Sequence, residues 1–309
     1  MTAAVRLTTA PTPTSAAKRT VTTTSVTTTT VTARDGTTLS ARVYGPKGDP
    51  VPVVCLPGLS RNCRDFGCLA EALSSARGGR PRRVYALDLR GRGASGWAHP
   101  STYNVLQELE DVVACLDAWD IERAQLVGTS RGGLITMLMA MAAPERIERA
   151  VLNDIGPIIE RRGLARIAGG IGAVMDHASF EALADYLTEA WGPQFPHLTH
   201  EKWLRAAHQL AAENDAGGVT LSFDPALAGT VRGYTADQPA PDFWPGFAAL
   251  ADKPVMIVRG AHSDLLSAAT VEAMRRRHRD LTALVIPDEG HAPLLWDRFS
   301  IEAIRDFLS

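Results

Sequence analysis

The sequence predicts an α/β fold, in which a mostly parallel sheet has helices on both faces and a helical segment inserted between two strands. From Val31 onward, short apolar runs alternate with stretches whose apolar residues recur at helical spacing. Repeated strand–helix alternation is typical of a parallel sheet covered by helices. Between Gly156 and about Leu250 the alternation stops and only the helical pattern continues. We therefore predict a core from residues 31–155 and 251–309, with a helical cap at 156–250.

The composition is that of an ordinary globular protein. Hydrophobic residues make up 45% of the 309 residues, charged residues 21%, and the formal net charge is −2. Because the basic residues are scattered, we expect neither nucleic acid nor a membrane as a partner. The four cysteines lack zinc-type spacing and are few for a disulfide-stapled protein, which predicts reduced thiols and a cytoplasmic location. They are Cys55, Cys63, Cys68 and Cys115.

The first 30 residues differ from the rest of the chain. They are rich in Thr and Ala, contain three basic residues and lack acidic ones. This composition resembles a transit peptide, but such a segment buries too little apolar surface to order itself, so we favour a disordered leader. Val21, Val26 and Val31 among the threonines could give it some extended character.

The strands are predicted from short apolar runs bounded by turn residues. The turn at residues 34–37 predicts a hairpin that returns as a strand, and later runs bounded by Pro or Gly suit strands buried on both faces. The predicted strands are 38–44, 51–56, 84–89, 124–127, 150–153, 254–258 and 281–286.

The helices are predicted from apolar residues spaced to share one face. In residues 103–119, for example, Val105, Leu109, Val112 and Leu116 recur at this spacing. The other predicted helices of the core are 65–76, 134–143 and 301–308, and those of the inserted segment include 180–191 and 201–213.

The stretch Gly128-Thr129-Ser130-Arg131-Gly132 matches G-x-S-x-G between a strand and an apolar helix. A sharp strand-to-helix turn holds such a serine in a strained conformation, and the two glycines relieve crowding around it. The helix N-terminus offers free N–H groups where negative charge develops during acyl transfer. We therefore predict that Ser130 is a nucleophile.

A serine hydroxyl needs a base that is oriented by a third group. Of the eight histidines, His291 follows the last strand in a loop near the C-terminus, which predicts that it lies over the strand ends. The acid should fall between Ser130 and His291 in the chain. Asp264, in the loop after the strand 254–258, is the preferred candidate, and Asp154, at the end of the strand 150–153, is the alternative.

At this point the chain resembles the α/β-hydrolase superfamily, specifically its capped serine hydrolases of the esterase or lactonase type. The resemblance covers about residues 31–309 and rests on five motifs. They are Leu56-Pro57-Gly58-Leu59, the loop Asp88 to Ser95, the Ser130 elbow, Ser263-Asp264 and Gly290-His291. It implies an eight-stranded-type, mostly parallel sheet with a helical cap, and a Ser–Asp–His triad without a cofactor.

The resemblance also implies an oxyanion hole, formed by the backbone N–H groups of Leu59 and Arg131. The family usually has a histidine where this chain has Pro57, which removes a side chain that helps to fix the loop. Arg131 is an unusual residue after the nucleophile. Its guanidinium could favour an anionic substrate, but we favour a buried pair with Asp154 or another carboxylate. Asp88 is expected to organise its own loop.

The predicted function is hydrolysis of a carboxylic ester or lactone of an apolar or aromatic small molecule. Alternatives are C–C bond hydrolysis of a diketone-like ring-fission product, which the short Pro57–Ser60 loop disfavours, and a non-catalytic small-molecule receptor. Tryptophans of the cap are candidate pocket residues, although they could equally form its core. They are Trp191, Trp203 and Trp244. His197, His200 and His208 could imitate a metal site, but no metal is expected.

Overall fold

The computed structural model describes residues 26–48, 50–75, 80–232, 234–235, 237 and 241–309. Within these residues the chain forms eleven strands and nine α-helices. The strands are β1 (Thr27–Thr32), β2 (Thr38–Tyr44), β3 (Val53–Leu56), β4 (Val84–Asp88), β5 (Ala124–Thr129), β6 (Ile147–Asn153), β7 (Asp176–His177), β8 (Ala211–Glu213), β9 (Val219–Leu221), β10 (Val255–Gly260) and β11 (Leu281–Ile286). The helices are α1 (Gly67–Ser74), α2 (Val105–Ala118), α3 (Arg131–Ala142), α4 (Arg161–Gly170), α5 (Phe180–Trp191), α6 (His200–Leu210), α7 (Trp244–Ala248), α8 (Ala268–Arg277) and α9 (Arg298–Phe307).

Eight of these strands form one sheet in the order β1-β2-β4-β3-β5-β6-β10-β11. The first two pairings, β1 with β2 and β2 with β4, are antiparallel, and the others are parallel. The sheet is therefore mostly parallel, as the sequence predicts. Its carboxyl edge brings together the loops after β3, β5, β6, β10 and β11, which carry all the candidate catalytic residues.

Helices cover both faces of this sheet, as predicted. On one face, α2, α3 and α8 contribute Val112, Ile135 and Met274 to the apolar core. On the other face, α1 and α9 contribute Leu69 and Ile304. The strands β3, β4 and β5 are completely buried between these two layers, which explains why they are apolar without alternation.

The inserted segment, residues 156–250, leaves the sheet after β6 and returns before β10. It contains α4 to α7, and α5 spans the residues predicted from the sequence. It also contains a small antiparallel sheet in the order β7-β9-β8, which the sequence reasoning missed. Its strands have only two or three residues, too few to show a period-2 pattern.

The last four residues of the predicted leader, residues 1–30, belong to strand β1. Residues 1–25 lie outside the described residues, but β1 begins at Thr27 and pairs antiparallel with β2. Threonine is β-branched and fits an edge strand, so a Thr-rich run beside a hairpin turn joins the sheet. Among the described residues, no helix is long and apolar enough to cross a membrane.

Candidate active site

Ser130 lies in a sharp turn between β5 and α3. Its backbone has φ 49° and ψ −109°, a strained conformation for a residue with a side chain. A Cβ atom at Gly132 would collide with the Leu56 carbonyl oxygen, and one at Gly128 would collide with the backbone of Gly132. Only glycine therefore fits at these two positions, as the G-x-S-x-G motif predicts.

His291 lies over Ser130, as the sequence predicts. Its Nε2 is 3.0 Å from the Ser130 Oγ, and its Nδ1 is 2.8 Å from the Asp154 Oδ2. Because a carboxylate can only accept, Nδ1 carries the hydrogen and Nε2 is left to accept from the serine hydroxyl. The backbone N–H of His291 donates to the Gln194 Oε1 at 2.9 Å, so the inserted segment helps to hold this loop.

The preference for Asp264 as the partner of His291 is wrong, and Asp154, the alternative, occupies that position. Asp154 directly follows β6, and its side chain is fully buried. Its Oδ1 accepts from the Gly260 N–H at 2.9 Å, and its Oδ2 accepts from the Ser263 hydroxyl at 2.5 Å as well as from His291. These donors hold the carboxylate in one orientation.

Asp264 faces α4 instead. Its carboxylate accepts from the Arg166 Nε at 2.7 Å and Nη2 at 2.8 Å in a bidentate pair. Burial alone would raise the pKa of Asp264, but the hydrogen bonds and the charge of Arg166 outweigh it, so the pKa is lowered. The physical reason for the wrong prediction is sheet order: β6 is the neighbour of β5, which ends at the serine, whereas β10 lies one strand further away.

The two predicted oxyanion donors lie next to the serine turn and its cavity. Leu59 and Ser130 line one cavity, and Arg131 is the first residue of α3. Its N–H is one of the helix-terminal groups that have no acceptor within the helix. Within the described residues, neither the Leu59 nor the Arg131 N–H donates a hydrogen bond to another protein group. Both are thus free to bind an oxygen atom.

The Arg131 guanidinium pairs with a carboxylate, but this carboxylate is not Asp154. Its Nε donates to the Glu108 Oε2 at 2.6 Å, and its Nη2 donates to the Tyr103 carbonyl at 3.3 Å. Glu108 lies on α2 and also accepts from the Arg92 Nη1 at 2.7 Å. Sequence reasoning missed Glu108 because it reads as one polar position on an amphipathic helix.

Asp88 organises its loop, as expected. It accepts from the backbone N–H groups of Cys63 at 2.6 Å and Ala94 at 2.9 Å. Burial raises the pKa of its carboxyl, although both hydrogen bonds act in the opposite direction. The Asp88 side chain thus joins the loop after β4 to the segment before α1.

A cavity of about 240 Å³ opens over Ser130 and His291. Its polar wall includes Arg61 and Arg166, each in a bidentate pair with a carboxylate. Apolar side chains from the inserted segment form much of the remaining wall. They are Ile167, Ile171, Val174, Leu187, Trp191, Phe195, Leu210, Leu221 and Phe223.

Of the three candidate pocket tryptophans, one lines this cavity. Trp191 does so, but the predictions for Trp203 and Trp244 are wrong. Trp203 is 3% exposed and lies in the apolar core of the inserted segment, edge-on to Phe195. Trp244 packs against the main core near Phe247, under the Arg277 guanidinium. The sequence could not separate them because all three lie in helical, partly apolar stretches.

Two of the three histidines whose spacing could imitate a metal site have other partners. His197 is exposed, 3.6 Å from Asp288, whereas His208 stacks on Phe180 with ring centroids 3.8 Å apart. Across the part of the chain that the structure describes, no group of three or more His, Cys, Asp or Glu residues could hold a metal ion.

Comparisons with known proteins identify the family of this chain. The model of the alpha/beta hydrolase family matches residues 53–298. A 3-hydroxybutyrate-oligomer hydrolase from Cupriavidus necator is 33% identical over 273 residues, which cover 86% of this chain and 91% of that protein. A 2-(acetamidomethylene)succinate hydrolase from Mesorhizobium japonicum is 29% identical over 229 residues, 72% of this chain and 77% of that protein.

A solved structure shows the same fold. The crystal structure of an alpha/beta hydrolase from Novosphingobium aromaticivorans matches with a TM-score of 0.84 and 38% identity, covering 92% of this chain and 98% of that one. The family match spans well over half of the chain and includes the serine turn, Asp154 and His291. The chain therefore belongs to the alpha/beta hydrolase family.

Proposed function

We propose that this protein hydrolyses a carboxylic ester, lactones included, through an acyl-enzyme on Ser130. One observation carries the proposal: a continuous chain of hydrogen bonds links Ser130, His291 and Asp154 beside a cavity with a mostly apolar wall. A nucleophile, a base and an orienting acid in this geometry are the machinery of acyl transfer.

In the first step the Ser130 Oγ attacks the substrate carbonyl carbon while the His291 Nε2 takes the hydroxyl proton. The imidazole becomes positively charged, and Asp154, which accepts from Nδ1 at 2.8 Å, stabilises that charge. The carbonyl oxygen becomes an oxyanion that can bind the free N–H groups of Leu59 and Arg131. Such donors act in a site from which water is largely excluded, so their effect on the rate is large.

The second half of the reaction reverses these roles. His291 returns its proton to the leaving alkoxide, the ester C–O bond breaks, and the acyl group remains on Ser130. A water molecule then gives a proton to His291 and attacks the acyl carbon. The bond between that carbon and the Ser130 Oγ breaks, His291 returns the proton to Oγ, and the free acid leaves. The same groups open a lactone, in which acid and alcohol belong to one molecule.

The substrate class follows from the cavity wall. We assign the inserted segment, residues 156–250, the role of a cap that supplies the apolar wall around the acyl or alkyl group. An ester is also favoured by the relative from Cupriavidus necator, because its name describes oligomers of a hydroxy acid, which are joined by ester bonds. Short esters with an apolar side chain, hydroxy-acid esters among them, are the substrates we propose.

The decisive experiment combines labelling with turnover. A fluorophosphonate probe should label the protein, and Ser130→Ala should abolish both labelling and ester hydrolysis, the latter by on the order of 10⁶-fold in kcat. The matched control, Ser101→Ala, removes an exposed hydroxyl far along the chain from the turn and should keep both. Unlabelled protein without turnover would support a small-molecule receptor instead.

A substrate panel separates the remaining readings. Aryl esters, alkyl esters, lactones and vinylogous diketones are offered to the same preparation, and we expect the esters to be turned over fastest. Preferential cleavage of the diketones would favour the alternative of C–C bond hydrolysis.

We also propose a cytoplasmic location. All four cysteines are free thiols, and three of them are buried. Unpaired, buried thiols are typical of proteins from a reducing compartment.

A further inference from the structure

Three charged side chains adjoin the segments that carry the candidate oxyanion donors. They form a buried charge cluster of Arg92, Glu108 and Arg131. The Glu108 Oε1 accepts from the Arg92 Nη1 at 2.7 Å, and its Oε2 accepts from the Arg131 Nε at 2.6 Å. The side chains of Arg92 and Glu108 are fully buried, and that of Arg131 is 11% exposed. One carboxylate therefore bridges two guanidinium groups.

This cluster contacts both chain segments that carry the oxyanion donors. The Arg92 Nε donates to the Leu59 carbonyl at 2.8 Å, so one end of the cluster holds the loop after β3. The other end is the side chain of Arg131, whose own backbone N–H is the second donor. Glu108 thus connects the two donor residues through an unbroken series of charged hydrogen bonds, which are stronger than neutral ones.

Stability alone is a weak reason for such a cluster. Moving charges out of water costs several kcal/mol per ion, and apolar residues of similar volume often replace a buried ion pair without loss of stability. Burial also lowers the pKa of the Arg92 guanidinium, the direction expected of a desolvated cation. The cluster contacts both segments that carry the oxyanion donors. This position offers a functional reason for the cost of burying its charges.

Pro57 gives the loop a particular need for this support. A proline has no backbone N–H to anchor the chain, and its side chain offers no hydrogen bond. The next three residues, Gly58 to Ser60, line the cavity directly. The bond from Arg92, which does not line the cavity, to the Leu59 carbonyl therefore supports this segment.

We propose that Arg92 and Glu108 are positioning residues that set the separation and aim of the two oxyanion donors, and that the Arg131 side chain completes this linkage. The proposal rests on the proposed acyl transfer at Ser130. Because the oxyanion forms only as the reaction proceeds, the cluster should affect kcat and leave KM nearly unchanged.

The test compares Glu108→Gln with Asp111→Asn. Asp111 is a matched control because it lies on the same helix, is 1% exposed and binds the buried Arg90 in a bidentate pair. For Glu108→Gln we expect kcat to fall about 10- to 100-fold, the range for a displaced or lost oxyanion donor. Asp111→Asn should lose stability to a similar degree but keep kcat.

The affinity for a transition-state analogue distinguishes a positioning role from a purely structural one. An alkyl trifluoromethyl ketone forms a tetrahedral adduct with a serine, and its oxygen occupies the oxyanion hole. Its inhibition constant should rise in Glu108→Gln by the factor by which kcat/KM falls, whereas inhibition by the product acid should stay unchanged. Equal ketone affinity in Glu108→Gln and the unaltered protein, or equal losses in Glu108→Gln and Asp111→Asn, would overturn the proposal.

A second pair of variants decides the matter if Glu108→Gln fails to fold. Arg131→Met leaves the pair of Arg92 with Glu108 intact and should weaken ketone binding about tenfold, whereas Arg131→Lys keeps a donor for Glu108 and should restore most of it. If both bind the ketone as the unaltered protein does, the linkage has no role. Absence of turnover and of a ketone adduct in the unaltered protein would instead overturn the acyl transfer itself, and the role of the cluster with it.

Discussion

The loops at the carboxyl edge of the main sheet and the inserted segment meet at one cavity, but different forces hold them in place. At the sheet edge, buried polar groups are fixed by directed hydrogen bonds: Asp154 accepts from Gly260, Ser263 and His291. The inserted segment packs around its own apolar core, which includes Trp203. Directed bonds define the positions of reacting atoms, whereas apolar packing defines the shape of a space.

Polar contacts also join the two regions at the catalytic loops. Gln194 of the inserted segment accepts from the His291 N–H, and Arg166 of α4 binds Asp264. The comparison suggests a division of roles, in which the sheet edge determines kcat and the inserted segment determines which substrate binds. Substitutions compared in pairs within each region can test this division.

The largest difference is expected between the two aspartates. Asp154→Asn removes the acceptor that fixes the imidazole tautomer, and kcat should fall by on the order of 10⁴-fold. Asp264→Asn breaks a partly exposed ion pair with Arg166, a contribution of at most about 1 kcal/mol, so kcat should change less than about 5-fold. Steady-state kinetics on an aryl ester measure both.

The reverse result would support Asp264, which the sequence analysis preferred as the acid. If Asp264→Asn were the inactive variant and Asp154→Asn retained turnover, His291 would have to turn to the other carboxylate during the reaction. Thermal unfolding of both variants serves as the control, because a loss of kcat counts only for folded protein.

The next largest effect distinguishes two tryptophans of the inserted segment. Trp203→Ala empties a buried site and should lower the free energy of unfolding by about 3 to 5 kcal/mol. Trp191→Ala removes part of the cavity wall and should raise KM about fivefold, since an aromatic contact contributes about 1 kcal/mol, with kcat nearly unchanged. Urea titration and kinetics on an apolar ester check the pair, and a fall in kcat for Trp191→Ala would contradict the division of roles.

The difference between the regions also explains what could be predicted from the sequence. Ser130 and His291 were found because each follows a strand in a recognisable motif, and the main strands because they are apolar throughout. The choice between Asp154 and Asp264 depended on strand order, which a single sequence does not encode locally. Both follow a strand, and only the pairing of β5 with β6 brings Asp154 close to the serine.

The contacts of the buried charge cluster and of the inserted segment were beyond sequence reasoning for another reason. Glu108 binds two arginines that are 16 and 23 residues distant along the chain, so no local sequence pattern indicates these contacts. Trp191, Trp203 and Trp244 all lie in helical, partly apolar stretches, but their surroundings in the fold are very different. Long-range contacts of this kind appear only once the elements are packed.

Titration of the Glu289 carboxyl, in the loop that carries His291, should change the free energy of unfolding by a smaller amount. Burial raises the pKa of Glu289 to about 7, although its hydrogen bond from the Leu294 N–H opposes this shift. The folded protein therefore binds the proton more tightly than the unfolded chain, whose pKa is near 4.5. The contribution of Glu289 to the free energy of unfolding is therefore largest below that value and falls as the pH rises towards 7.

The measurement compares the unaltered protein with Glu289→Gln, which cannot titrate there. Relative to this variant, the free energy of unfolding of the unaltered protein should fall by about 2 to 3 kcal/mol between pH 5 and pH 8. Urea titrations at several pH values give this difference and cancel the contribution of other groups. A flat difference would show that the Glu289 carboxyl is ionised in the folded protein throughout.

The smallest effect should come from Ser263, which acts on the chemistry only through Asp154. Its hydroxyl donates to the same Oδ2 that accepts from His291, and it also accepts from the N–H groups of Leu265 and Leu266. Ser263→Ala should lower kcat roughly tenfold, the effect of one hydrogen bond to a charged group. Ser263→Thr restores a hydroxyl and should recover most of kcat. If Ser263→Thr were as slow as Ser263→Ala, the loop and not the hydroxyl would be what supports Asp154, and the sheet edge would depend on packing as the inserted segment does.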